Sequence, residues 1–217
     1  MRLDQYEDNF FRIKKQKTNM LFQQEDCVNG LNLPSKKLFE IKSSGNMSCL
    51  DLSLQWLGKA QKNGLCVMVD SEFNCDQEQI KKYDVDPSEL LYVPCNEPKN
   101  NFEIIYKLLE LKDIRFIMVS TVVLLFPLEY DLKGFTTLFT RLKEKVQKSN
   151  ASVVIVNPYY NLGYDIFSKT FNCTFESKYH KKFKNSVEIN VKVNNNSLNF
   201  KNEEFIVPII YNIQSLD

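Results

Sequence analysis

Hydrophobic positions along this chain fall into two rhythms. Leu65–Val69 (LCVMV), Leu90–Val93, Phe116–Val119 and Ser152–Val156 (SVVIV) are apolar at nearly every position. Short continuous runs of this kind, bounded by turn residues, predict strands buried on both faces of a parallel sheet. A further strand is predicted over Lys37–Ile41, from Leu38, Phe39 and Ile41. Between the runs, apolar residues recur at helical spacing. They predict helices over Cys49–Lys62 (Leu50, Leu52, Leu54, Leu57), Asp76–Tyr83, Phe102–Leu111 and Phe135–Lys148 (Phe135, Leu138, Phe139, Leu142, Val146). Asn63-Gly64 stops the first of these. Beyond residue 185 the rhythm changes to period two. Val187, Ile189, Val191 and Val193 alternate with polar residues, and Phe205–Ile210 is a second such run. Strict alternation predicts antiparallel strands with one wet face. The fold expected is therefore α/β: a doubly wound, mainly parallel sheet flanked by helices, with antiparallel strands at the C-terminal edge.

At 217 residues the chain is long enough for one sizeable core and requires no second. Residues 1–23 form a charged, aromatic lead, part helix around Tyr6, Phe10, Phe11 and Ile13, and residues 24–217 form a single domain. The stretch NGLNLP (29–34) and Val85-Asp86-Pro87 are expected as turns. Tyr159 to about Lys184 is long, polar-aromatic and weakly patterned, and no element is assigned to it. No internal repeat is present.

Composition narrows the functional classes. The formal charge of +1 provides no global basic field, so nucleic-acid contact requires a local patch. The longest apolar run, Phe116 to Leu128, is broken by Ser120, Thr121 and Pro127, so no membrane span is expected. The N-terminal residues MRLDQYEDNFFRIKK lack the apolar core of a secretory signal. The six cysteines (Cys27, Cys49, Cys66, Cys75, Cys95, Cys173) include no C-x-x-C pair, and His180 is the single histidine, so no metal site is expected. Reduced, mostly buried thiols in a cytoplasmic protein follow, and the N-x-S/T triplets at Asn46, Asn150 and Asn172 are chance matches.

The informative segment is Leu38 to Gln55, LFEIKSSGNMSCLDLSLQ. An apolar strand runs into a Ser/Gly/Asn loop and then a helix, the layout of a nucleotide-binding phosphate loop. Such a loop reads G-x-x-x-x-G-K-S/T: glycines let backbone N–H groups close on phosphate, Lys adds charge and Ser/Thr holds Mg²⁺. In the same eight positions Ser43 and Ser48 replace the glycines, Cys49 the lysine and Leu50 the hydroxyl residue. Serine resists the positive φ that glycine adopts freely. Each charge-assisted bond lost is worth roughly 1.5–3 kcal/mol, so several lost together remove useful nucleotide affinity. No cofactor is expected.

From about Cys27 onward the order of residues resembles the core of the RecA-family recombinases, bacterial RecA and phage relatives such as UvsX. Leu31 to Ile41, LNLPSKKLFEI, matches the spacing of the family's G-L-P-x-G-x-x-x-E-I, and Leu52 to Gln55 its L-x-L-Q. Ala60 to Gly64 resembles A-Q-x-x-G, Asp70-Ser71-Glu72 resembles D-A/S-E, and Val85-Asp86 with Leu90-Leu91 the turn and strand that follow. Leu142 to Asn157, ending QKSNASVVIVN, resembles the helix and strand before the second DNA loop. The resemblance implies a RecA-like sheet and also marks what is missing. Ser120 stands where the family carries its second Mg²⁺-organising carboxylate, and Asn157-Pro158 where an Asn-Gln senses the γ-phosphate. Glu72 falls at the position of the general base, a remnant with no metal or phosphate clamp to act with. Asp70 is expected as a strand-end cap or a partner for a nearby lysine. A pseudo-ATPase is implied, with no catalytic residue.

Two loops contact DNA in the family. The first would be Pro127 to Gly134 (PLEYDLKG), short and acidic; the second would span Tyr159 to about Lys184. Tyr159, Tyr160, Lys178, Lys181, Lys182 and Lys184 are the candidate DNA-binding residues there, because lysines interleaved with aromatics neutralise phosphates and stack on bases. A solvated basic loop with its aromatics packed on the sheet is the competing expectation. Partners implied are single-stranded DNA, a true recombinase or another protein, and no membrane. The oligomeric state stays open, since no nucleotide would glue a self-filament. The alternative function is a RecA-fold interaction regulator, SulA- or ImuA-like, binding neither DNA nor nucleotide.

Overall fold

The computed structural model describes residues 27–28, 31–32, 35–43, 47–70, 77–95, 98–120, 132–158, 170–194 and 204–211. The candidates Glu72, Tyr159 and Tyr160, the lead 1–23 and most of the acidic loop Pro127 to Gly134 lie outside them. Two short strands come first, β1 (Cys27–Val28) and β2 (Leu31–Asn32), paired antiparallel with Val28 opposite Leu31. Leu31 and Asn32, expected within a turn over 29–34, are therefore a strand, and the other four residues of that stretch lie outside the described part.

The main sheet has eight strands. In chain order they are β3 (Leu38–Lys42), β4 (Leu65–Asp70), β5 (Leu90–Pro94), β6 (Ile114–Val119), β7 (Ser152–Asn157), β8 (Cys173–Lys182), β9 (Ser186–Asn194) and β10 (Glu204–Ile210). Across the sheet the order is β5-β4-β6-β7-β3-β8-β9-β10. Every neighbouring pair from β5 to β8 is parallel, and β9 and β10 are antiparallel additions. The expected mixed sheet, parallel with antiparallel strands at one edge, is found.

Helices cover both faces because the strands are apolar on both. On one side lies α1 (Ser48–Gln61), with Leu50, Leu52, Leu54, Trp56 and Leu57 packed on Phe39, Ile41, Met68, Val154 and Phe175. Ten of its fourteen residues are buried, including the polar Ser48, Asp51 and Ser53, so it is enclosed by other elements on more than one face. The short α2 (Gln77–Lys81) and the turn at Tyr83 close over its far end. A Cβ on Gly58 would stand 2.2 Å from the Tyr83 carbonyl oxygen, so that turn rests directly on the helix backbone. On the other side α3 (Pro98–Glu110) and α4 (Leu132–Lys148) bury Phe102, Ile105, Phe139, Leu142 and Val146 against Val67, Val69, Ile117, Val153 and Ile155. Pro98 opens α3 earlier than its apolar stripe suggests, since proline suits the first helical position.

One stretch departs from expectation. Cys173–Lys182, predicted to be unpatterned, is the strand β8, lying between β3 and β9. Its first half is buried on both faces and includes the polar residues Thr174 and Ser177, which conceals the period-two signal. Downstream, β9 alternates as read: Val187, Ile189, Val191 and Val193 face the core, while Glu188, Asn190, Lys192 and Asn194 take the other side.

Candidate functional site: the head of α1

Strand β3 delivers the chain to the position of a phosphate loop, and side chains close it. Ser43, fully buried, donates its backbone N–H to the Asn157 carbonyl at 3.1 Å and its Oγ–H to Cys49 Sγ at 3.0 Å. Ser48 is bonded to Ser177 Oγ on β8 at 2.9 Å, and Ser177 in turn donates to the Lys42 carbonyl at 3.3 Å. Cys49 and Leu50 are 0% and 2% exposed and belong to the α1-side core. Burial pushes the Cys49 thiol up to about 11, so it is neutral near pH 7 and supplies no charge. Residues 44–46 of the window lie outside the described part. The described positions thus offer phosphate neither a cation nor a metal-holding hydroxyl.

The neighbouring strand ends are equally self-contained. Ser120 donates its hydroxyl to Asp70 Oδ1, and Tyr92 Oη donates to Asp70 Oδ2 at 3.0 Å. Asp70 ends β4 and is buried, and of its two expected roles, strand-end cap or lysine partner, the second is not seen among the described residues, where its carboxylate is bonded by hydroxyls. Asn157 donates its amide to Glu40 Oε1 at 2.9 Å; Thr174 Oγ1 donates to the other oxygen at 3.2 Å. Glu40 sits 1% exposed on the central strand. Sequence reading passed it over, although a lone acid between Phe39 and Ile41 on a buried strand already required internal donors.

A second buried acid was also missed. Asp51, 6% exposed in the first turn of α1, accepts hydrogen bonds from Tyr83 Oη at 2.6 Å and Tyr179 Oη at 2.7 Å. Burial first, and then the Asp51 carboxylate, drive the acidities of both phenols well below the ordinary tyrosine's. Tyr211 meets the Tyr83 ring edge-on at 5.7 Å and completes the cluster.

The candidate DNA-binding lysines are not gathered into one patch. The register of β8 on β9 shifts between Tyr179 and Lys181. Lys178 and Lys181 stand opposite Asn190 and Glu188, on the face away from α1. Lys182 instead stands opposite buried Val187, with its Nζ 4.1 Å from the Tyr179 ring centroid. On the outer face Lys192 has Glu176 on one side and Glu204 on the other, so positive charges there are matched across the strands. A run of like charge survives at the β8–β9 turn, where Lys182 and Lys184 flank Phe183, 55% exposed. His180 is exposed at the surface, as expected.

Among the described residues no group of three His, Cys, Asp or Glu could hold a metal ion, and no helix is long and apolar enough to cross a membrane. No protein-family model and no curated protein matches the sequence of this chain.

Proposed function

We propose that the chain is a RecA-like pseudo-ATPase, a recombinase core that has kept its sheet and lost hydrolysis, acting as an accessory or structural factor in DNA recombination or repair. The observation that carries the proposal is the pair Cys49 and Leu50, buried at the positions of the phosphate-loop lysine and hydroxyl residue. The β3-loop-α1 unit in the interior of a mostly parallel sheet supports RecA-like ancestry. Ser120 bonded to Asp70, and Asn157 bonded to Glu40, support coordinated loss across the site. Phosphoryl transfer depends on electrostatic positioning, and these groups position one another. A phosphate-release assay with ATP and Mg²⁺, with and without single-stranded DNA, should give no turnover. Turnover that disappears in Glu72→Gln would overturn the proposal.

For DNA, the β8–β9 turn is the favoured contact. Lys182 and Lys184 supply charge and Phe183 a stacking surface. Fluorescence anisotropy of labelled single-stranded DNA across a salt series tests it: binding should weaken with salt and vanish when Lys182 and Lys184 are reversed to Glu. A flat trace at low salt would remove direct DNA binding. One observation favours the second reading, a SulA- or ImuA-like interaction regulator. The outer face of β8–β10 mixes both charge signs with exposed Ile206 and Ile210, which suits a protein surface better than a phosphate backbone.

A further inference from the structure

Phosphate loops place an anion at the N-terminus of a helix, where the helix dipole and free backbone N–H groups favour negative charge. Among the described residues, Ser48, Cys49 and Leu50 stand where a phosphate loop carries glycine, lysine and a hydroxyl residue, yet the head of α1 holds a negative group of its own. We propose that Asp51 is a built-in anion, taking at the head of α1 the electrostatic place that a bound phosphate takes in a working nucleotide loop. This inference rests on the reading of 43–50 as a lost phosphate loop and says what replaced the ligand.

Three observations carry it. Asp51 lies in the first turn of the helix, where a negative charge is stabilised, and it is almost wholly buried. Among the described residues no ion pair of Asp51 is found. Both carboxylate oxygens instead accept phenol hydrogens, from Tyr83 beyond α2 and Tyr179 on β8. A buried carboxylate needs such donors, and these come from separate parts of the chain. The carboxylate therefore ties the helix head to β8 and to the turn that rests on Gly58. In a nucleotide enzyme bound phosphate performs the comparable task of ordering that region. Here the order is internal and permanent. The charge also reaches residue 49, because Asp51 is among the groups that raise the Cys49 thiol.

Chemical rescue separates an anion from mere packing. Melting temperatures would be measured for the full chain as wild type, Asp51→Asn and Asp51→Ala, in sodium chloride and in sodium formate at equal ionic strength. Asp51→Asn, which keeps size and one acceptor but loses the charge, should melt several degrees below wild type. Asp51→Ala should melt lower still and recover part of the loss in formate, with no recovery in chloride and no formate effect on wild type. Asp51→Asn melting with wild type would overturn the proposal. So would a folded Asp51→Ala that responds alike to both salts. If Asp51→Ala fails to fold, the Asp51→Asn comparison decides alone. Stabilisation of wild type by ATP–Mg²⁺ would instead sink the lost-nucleotide reading and would leave the charge test of Asp51 standing, so the two failures are distinguishable.

Discussion

The head of α1 and the β8–β9 turn lie at opposite extremes of the same protein. At the helix head the buried polar side chains bond to one another: Ser43 to Cys49, Ser48 to Ser177, Ser120 to Asp70, Tyr83 and Tyr179 to Asp51. At the turn, Lys182, Phe183 and Lys184 project into solvent, and the ordering contacts include backbone bonds from Phe183 to Ser186 and from Tyr211 to Asn185 and the Lys182 ammonium over Tyr179. Family resemblance assigns nucleotide to the first region and DNA to the second. Among the described residues of the two regions, exposed charge lies at the second. Buried polar groups have to be satisfied, and at the helix head they satisfy one another.

The contrast can be broken from the buried side first. Rebuilding the lysine and hydroxyl pair, Cys49→Lys with Leu50→Thr, places an ammonium in a site with no room for solvent. It should cost at least about 3 kcal/mol, a melting decrease of roughly 6–12 °C, and should not confer ATP binding. Recovery of nucleotide affinity without loss of stability would mean that the head is open. Gly58→Ala comes next, because the new methyl meets the Tyr83 carbonyl at 2.2 Å. A loss of about 1–3 kcal/mol is expected by urea denaturation, with the Tyr83 turn displaced.

Alkaline titration follows and reads the buried side alone. Burial pushes Cys49 and Cys95 up to about 11 and Cys66 and Cys173 up to about 12. Groups raised in the folded state ionise first in the unfolded chain. Their contribution is complete below the unfolded value near 9 and is lost as pH climbs toward 11 and 12. The urea midpoint should therefore hold steady from pH 7 to about 8 and fall from about 9 upward. A midpoint that is level to pH 11 would contradict the sealed core. The smallest effect belongs to the turn: Lys182→Ala should cost about 0.5 kcal/mol through its lost contact with Tyr179, and Lys184→Ala less than that. Both should weaken any single-stranded DNA signal, a functional loss without a structural one.

Much of the scaffold was legible because burial on two faces leaves an unambiguous trace. LCVMV and SVVIV could only be inner strands, and both are. The alternation of Val187 to Val193 was equally plain. Strand β8 escaped because Thr174 and Ser177 are buried polar residues that bond to Glu40 and Ser48, so no simple period marks it. The same bonds explain what was missed at the site. The residue types at Ser43, Ser48, Cys49, Leu50 and Ser120 could be set against a phosphate loop from sequence alone, but the contacts they make span up to 129 residues. Asp51 looked like an ordinary acid on the first turn of a helix. Its partners at 83 and 179 become neighbours only when the sheet is assembled.

The most direct test of the central claim is the melting temperature of the unmodified chain with ATP and Mg²⁺, against Mg²⁺ alone. A nucleotide at about 100 times its Kd adds about 2.7 kcal/mol, a rise of roughly 5–10 °C for a chain of this size. A sealed helix head predicts a shift of no more than about 1 °C. A saturable rise of several degrees, reduced by substituting residues at the head of α1, would contradict it.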